Sequence, residues 1–390
     1  MLGKSFHVTS RPDIDPATLP ERLEALPGVA ELREAAGDKQ VYLVGGAVRD
    51  LLLGAKRADL DVVVEQDARG LAAALGGERV EHDRFSTAKV ALGDDLDIDI
   101  ARARTETYER PGALPEVQPA SVETDLGRRD FTINAMALPL SGEAELIDPH
   151  GGVDDLRAGV LRVLHDASFA DDPTRGLRGA RYAARLDLEL DPETERLLGK
   201  ADLSTVSEDR VISELGRTAV EETPSRALAL VADWGLMDLD PGPRLAAAIE
   251  RLYRDHPRWD EFADRGTVVL LAVAPGDHPA RLRGRAAKLA RHATPGSAAQ
   301  IQVLAHDHVP AVLAMARAAG ADWLDDYVDR LRHVELEIDG YDLLEAGAPQ
   351  GAAVGTGLNA ALEAKLNGAV DGHEDELRIA LDAIRAADKG

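Results

Sequence analysis

Asp59 and Asp61 head the run Asp59-Leu60-Asp61-Val62-Val63-Val64, which reads as a strand of this 390-residue chain. On a strand, residues two apart point to one face, with Cα atoms about 6.6 Å apart. Two carboxylates so placed repel unless positive charge lies between them. A pair of divalent cations supplies that charge, and two cations about 3.5–4 Å apart clamp an in-line phosphoryl displacement. Upstream, Gly45 and Gly46 allow a tight turn that brings backbone close to a ligand. The helix expected over 47–53 turns its amide end toward that turn, an arrangement that suits phosphate. Arg49 adds a bidentate phosphate donor in its first turn. A solvated acidic strand end beside an ordinary glycine turn is the plainer alternative.

Three further stretches carry chemistry. Asp97 and Asp99 share a strand face, and Asp99 can bring a third carboxylate to the same cations; an exposed strand face is the alternative. In RRDFTINAMA, residues 128–137, Asp130 and Asn134 can bond sugar hydroxyls, and Arg129 can bind phosphate or a sugar oxygen. The same residues also suit a helix N-terminus capped by Asp130. In FADDPTRGLRGARYAARLDLEL, residues 169–190, Asp172 and Pro173 mark a helix start. Arg175, Arg178 and Arg181 then fall within about a 120° arc, opposite an apolar stripe of Leu177, Ala180 and Ala184. That arc is either a solvated basic face, salt-bridged to Asp171 and Asp172, or a base-reading surface. Cytosine and adenine each present an amino donor beside a ring-nitrogen acceptor, whereas uracil and guanine present the reverse. An accepting Asp172 with a donating Arg175 therefore fits the first pair and mismatches the second. Arg178 and Arg181 can hold the triphosphate or the base.

The elements that must position these residues are mostly legible. Residues 41–44 form an apolar run suited to a central strand, and Gly54 ends the following helix. A helix is expected over 69–75, then a hairpin of 85–92 and 96–101 turning at Gly93-Asp94-Asp95. Residues 102–127, with Pro111-Gly112, Pro115 and Pro119, read as a long mobile loop. Helices follow over 191–235, 245–253, 311–318 and from Pro349 to Asn367-Gly368. Residues 1–40 have helical spacing broken at Pro27 and Gly28. His306-Asp307-His308 offers two imidazoles but no partner ligands to complete a metal site.

The composition excludes several classes. There is no cysteine, so disulfides and thiolate-bound zinc are out. No apolar run approaches about 18 residues, and the N-terminus lacks a signal-like apolar core, so a cytoplasmic chain without a membrane span is expected. The net charge of −25 argues against a broad basic nucleic-acid surface but leaves room for a local basic groove.

LVGGAVRDLLLG followed by DLD resembles the LVGGxVRDxLLG and DxD signature of the class II tRNA nucleotidyltransferase and bacterial poly(A) polymerase family, in the polymerase β superfamily. RRDFTINA matches that family's RRDxTxNA motif at every fixed position. DDPTR matches its EDxxR motif, with Asp171 at the first position in place of Glu. SEDRVISELGR resembles its neck region, and residues 336–390 resemble its C-terminal segment, where a glycine-rich turn starts a helix. The resemblance implies an α+β chain with four parts. They are an accessory segment 1–40, a nucleotidyltransferase head 41–148 with a mixed sheet, a helical neck 149–235, and a helical body and tail 236–390 that bind tRNA. It implies addition of CMP and AMP from CTP and ATP to the 3′ end of tRNA, with Mg²⁺ held by Asp59 and Asp61 and with Asp99 as the third acid. Gly46 and Arg49 would cradle the triphosphate. Arg129, Asp130 and Asn134 would select the ribose, and Asp172 and Arg175 the base, with Arg178 and Arg181 beside them. In that family the interval 102–127 holds a flexible element that helps the enzyme pass from C to A, and its full length here favours an enzyme able to add A. The alternatives are an enzyme adding only CC or only A, a poly(A) polymerase, and a catalytically silent RNA- or nucleotide-binding module.

Overall fold

A computed structural model describes residues 14–55, 60–76, 78–82, 87–92, 96–142 and 144–388. Asp59 and the turn at Gly93-Asp94-Asp95 lie outside the described residues. The first eight strands are β1 (Val41–Val44), β2 (Leu60–Val64), β3 (Glu78–His82), β4 (Thr87–Ala91), β5 (Asp97–Arg102), β6 (Arg104–Thr107), β7 (Glu116–Pro119) and β8 (Ala137–Pro139), and a short parallel pair, Val160–Leu161 with Glu189–Leu190, lies further on. Six of them form one sheet in the order β3-β4-β5-β2-β1-β8. The β2–β5 pair is parallel and the others antiparallel, so the sheet is mixed, and helices make up most of the remaining chain. The fold is α+β, as expected.

Alternation along the strands divides the sheet into two chemically different faces. Val41, Leu43, Leu60, Val62, Val64, Val90, Ile98 and Ile100 are buried on one face, in the same core as Leu19, Leu23 and Leu32 of the first helices. Tyr42, Val44 and Val63 lie on the other face, partly covered by Val122 and Leu126 of the Val122–Gly127 helix. Period two therefore puts Asp61, two residues before Val63, on this second face. Asp99 is its register partner across the parallel β2–β5 pair, and Lys89 is the partner of Asp99 across β4–β5.

Residues 102–127 are not the unstructured loop that their prolines suggest. β6 and β7 pair antiparallel from Arg104↔Pro119 to Thr107↔Glu116, and the helix Val122–Gly127 follows. Pro119 ends an edge strand and Pro111-Gly112 lies in the connection, two places where a missing N–H costs nothing in the ladder. Gly112 has φ 71°, the left-handed region that glycine enters freely.

The chain divides into two compact units, Met1–Glu214 with Arg226–Asp238, and Leu215–Ser225 with Leu239–Gly390. Within the second, the helices Ala352–Leu366 and His373–Ala387 pack closely: a Cβ on Gly357 would lie 2.9 Å from Ile384. The small residues of that segment thus serve helix packing. The His306 imidazole bonds only its neighbour Asp307, at 3.1 Å, among the hydrogen bonds described. No described helix is long and apolar enough to cross a membrane.

Candidate active site

The glycine turn sits where β1 ends. Gly45 has φ 68°, and a Cβ there would lie 2.7 Å from the Arg129 Nη1 atom, so only glycine lets that guanidinium approach the turn. The Gly45 N–H donates to the Met136 carbonyl and fixes the turn against the 128–137 stretch. The helix Gly46–Leu52 follows, and Gly54 just beyond it has φ 86°.

A cavity of about 320 Å³ opens at this turn. That is within the range of small-molecule sites, about 300–1,000 Å³. Gly46, Asp61, Arg129, Asp130, Asn134, Asp172, Arg175 and Arg178 all line it, joined by Glu106, Tyr108 and Arg128. A second cavity of about 450 Å³ shares Asp61, Arg128 and Arg129 with the first and adds Lys89 and Asp99. Asp61 therefore borders both. Arg49 and Arg181 stand behind this lining. Arg49 is buried and gives Nη1 to Asn134 Oδ1 at 2.5 Å and Nε to Asp50 at 2.8 Å, so it braces Asn134 from below. Arg181 stacks its guanidinium 4.7 Å from the Tyr182 ring centroid.

The 128–137 stretch forms a short 3₁₀ turn, Thr132–Asn134, rather than an α-helix. Asp130 Oδ1 accepts the Phe131 N–H at 2.9 Å and the Asn134 side-chain amide at 3.0 Å. Its other oxygen accepts Arg178 Nε at 3.0 Å. Burial opposes the charge on Asp130, but Arg178 and the Asn134 amide outweigh it and lower its pKa.

The arginine face of the helix Thr174–Leu186 is not solvated. Arg178 spans three carboxylates, Asp130 at 3.0 Å, Asp172 at 3.2 Å and Glu214 at 3.5 Å. Asp172 Oδ1 also accepts the Thr174 N–H and hydroxyl at 3.0 and 2.6 Å and Arg210 at 2.8 Å. Burial opposes its charge too, and Arg178, the Thr174 hydroxyl and Arg210 lower its pKa nonetheless. Three donors converge on Asp172 Oδ1, whereas Asp172 Oδ2 has Arg178 as its one described partner and keeps capacity to accept from a ligand. Arg175 is 3% exposed and donates to Ser168 Oγ at 2.6 Å and to the Arg128 carbonyl at 2.7 Å. Its Nε is buried with no hydrogen-bond partner.

Four further residues build this site without having been singled out in the sequence. Asp125, fully buried, accepts Arg128 Nη2 at 2.7 Å, Arg129 Nη2 at 3.0 Å and the Arg104 N–H at 3.2 Å. Its spacing of three and four residues before the arginines was the available signal, since such pairs are neighbours on a helix. Glu106 holds Arg128 at 2.8 Å and accepts the Tyr108 hydroxyl at 2.8 Å. Burial and then Glu106 raise the Tyr108 pKa, so the phenol stays a donor. Arg210 joins Asp172 to the Gly112 carbonyl at 2.9 Å, tying the β6–β7 connection to this cluster. No local pattern points to Glu106 or Tyr108, and Arg210 lies in SEDRVISELGR, a stretch whose resemblance marked it only as neck.

Burial opposes ionisation of Asp125, but Arg129 and Arg128 hold its pKa below the ordinary 3.8. A depressed carboxylate stabilises the fold above its unfolded pKa and loses that contribution as pH falls through the folded value. The penalty of Asp125→Asn, measured as the shift in urea midpoint, will therefore be full at pH 6 and shrink below about pH 4. A penalty constant from pH 6 to pH 2 would show that the charge of Asp125 contributes nothing.

Asp61 and Asp99, in register on neighbouring parallel strands and bordering one cavity, offer oxygen donors only. That donor set suits a hard divalent cation such as Mg²⁺. Among the described residues they are not joined into a cluster of three or more ligating side chains.

Residues 41–162 match the poly A polymerase head domain family. The chain is 36% identical to a CC-adding tRNA nucleotidyltransferase of Deinococcus radiodurans, over 91% of this chain and 92% of that protein. It is 33% identical to an A-adding tRNA nucleotidyltransferase of Geobacter sulfurreducens over 93% of this chain, and spans 47% of that longer protein. Its fold is similar to the solved apo form II of a CCA-adding enzyme, with TM-score 0.76, 29% identity and coverage of 95% and 96%.

Proposed function

The chain belongs to the class II tRNA nucleotidyltransferase family, and from that premise we propose that it adds CMP and AMP, from CTP and ATP, to the 3′ end of tRNA without a nucleic-acid template. The observation that carries this reading is the cavity in which a glycine turn, Asp61, a sugar-sized set of Arg129, Asp130 and Asn134, and the pair Asp172 and Arg175 meet. Each part answers one part of a ribonucleoside triphosphate.

In this reading the Gly46 turn and Arg129 receive the triphosphate. Asp130 and Asn134, already held by Arg178 and Arg49, meet the ribose hydroxyls. The acceptor position left on Asp172 Oδ2 and the spare N–H groups of Arg175 face the pairing edge of the base. Cytosine and adenine satisfy both, whereas uracil or guanine would set donor against donor and leave buried groups unpaired, at about 1–3 kcal/mol each. Mg²⁺ held by Asp59, Asp61 and Asp99 supplies, when bound, acidification of the RNA 3′-hydroxyl and charge neutralisation on the departing pyrophosphate. The second cavity, sharing Asp61 with the first, is where the 3′ end of the RNA enters.

Three tRNA transcripts, ending before CCA, after C and after CC, test this with Mg²⁺ and each nucleotide singly and together. The expected result is growth by the missing nucleotides alone in all three, with no use of UTP or GTP. Extension that stops at CC, or only of the CC-ended transcript, would make the protein a CC-adding or A-adding enzyme. Long A tails would make it a poly(A) polymerase, and no extension would make it a silent nucleotide-binding module.

A further inference from the structure

Three charged residues stand in a row across the sheet. Asp61 on β2, Asp99 on β5 and Lys89 on β4 are successive register partners, Asp61↔Asp99 and then Lys89↔Asp99. Neighbouring strands lie about 4.8 Å apart, so the row spans about 10 Å. Period two puts all three on the face opposite the main core, because Val62, Ala88, Val90, Ile98 and Ile100 beside them are buried in that core. Asp97, two residues before Asp99 on the same strand, shares the face. Its Oδ2 holds the Lys89 ammonium at 2.7 Å. Both side chains are about half exposed, and an ion pair so placed adds little to stability. What it does is keep one positive charge beside an acidic pair, in a chain of net charge −25.

The cavities separate the roles of the cations. Arg128 and Arg129 line both, and both are held by the buried Asp125. Lys89 lines the second cavity and not the first. A nucleotide in the first cavity is therefore met by arginines, whereas Lys89 faces what enters the second. A nucleic-acid strand whose 3′-hydroxyl lies at Asp61 and Asp99 carries its last phosphodiester one nucleotide behind. That anion comes to rest beside two carboxylates, and a cation already in place offsets the repulsion. An ammonium on a long stem suits the task, since it acts as a point charge on phosphate and needs no fixed approach angle.

We propose that Lys89 binds the last phosphodiester of the acceptor RNA, with Asp97 as the positioning residue that orients its ammonium. The proposal rests on the tRNA reading above, in which the second cavity takes the RNA 3′ end. It gives the RNA side of the reaction a binding residue of its own, apart from those that receive the nucleotide.

The test uses two CC-ended tRNAs assembled by ligation, one with the ordinary backbone and one with a neutral methylphosphonate at the last phosphodiester. With the ordinary RNA, Lys89→Gln should raise KM for RNA about 5- to 20-fold, the scale of a hydrogen bond to a charged group. The loss should fall on KM for RNA more than on kcat, and KM for ATP should stay near wild type. The slope of log affinity against log salt should decrease by about 0.7, one single-strand phosphate contact. The methylphosphonate should weaken binding to the wild type by a similar factor and cost Lys89→Gln little more, because the two changes remove one interaction. Lys89→Arg, which keeps the charge, should restore most of the affinity. Asp97→Asn should raise KM for RNA in the wild type and change nothing further in Lys89→Gln; an equal effect in both would remove Asp97 from the proposal's positioning role. Wild-type KM and salt slope in Lys89→Gln would overturn the proposal. So would a methylphosphonate penalty equal in both proteins, since another group would then meet that phosphate. A rise in KM for ATP instead of RNA would overturn it as well, by putting Lys89 on the nucleotide side. A wild-type chain that extends no RNA would overturn the tRNA reading itself, and the proposal with it.

Discussion

Asp61→Ala will lower nucleotide incorporation on the order of 10³-fold or more, the scale of removing a charge-stabilising group from a phosphoryl-transfer site, while leaving tRNA affinity near wild type. Asp61 is the carboxylate bordering both cavities and is the register partner of Asp99. Its side chain projects from the sheet face opposite the main core, so alanine leaves the packing of Leu60, Val62 and Val64 untouched. Thermal stability should therefore change little. Single-turnover incorporation with a CC-ended transcript and ATP gives the rate, and filter binding gives the affinity. A variant that incorporates at the wild-type rate would remove Asp61 from the chemistry. A variant that loses RNA binding in parallel would make it a docking residue instead.

Arg178→Met will have the largest effect on stability, about 3–5 kcal/mol, the usual result of deleting one partner of a buried ionic network. Arg178 lies between Asp130, Asp172 and Glu214, with all four side chains at most 18% exposed. Removing it leaves three carboxylates facing one another in a poorly solvated space, with Arg210 still on Asp172 and Arg181 near Glu214 at 3.9 Å. The identity of the cause is checked by relief. Arg178→Met combined with Asp172→Asn should be less destabilised than Arg178→Met alone, because the repulsion is reduced while the lost packing is the same. Urea unfolding at neutral pH measures both. Additive penalties would show that Arg178 acts through packing of its stem rather than through charge.

The sequence by itself determined the local chemistry. The glycine turn, the strand carrying Asp61 and the 3.6-residue rhythm of the helix Thr174–Leu186 all follow from spacings of a few residues. Such short-range periodicities are fixed by backbone geometry and need no knowledge of the rest of the chain. Matched motifs then carried Gly46, Arg129, Asp130, Asn134, Asp172 and Arg175 to one cavity, where the fold does assemble them.

Only the tertiary structure decided how the charges are spent. Arg178 reads equally well as a solvated cation or a ligand-binding one. Its partners Asp130 and Glu214 lie 48 and 36 residues away in sequence. Arg49 finds Asn134 across 85 residues and so braces that side-chain amide instead of lining the cavity. The segment 102–127 looked unstructured because prolines break helices, yet its two short strands pair with each other. Its Glu106 and Gly112 tie that hairpin to Arg128 and Arg210. Ion pairs and edge strands are chosen by whatever the folded chain brings within a few ångströms, under the demand that every buried charge be matched. That demand is global, and a sequence pattern, being local, does not contain it.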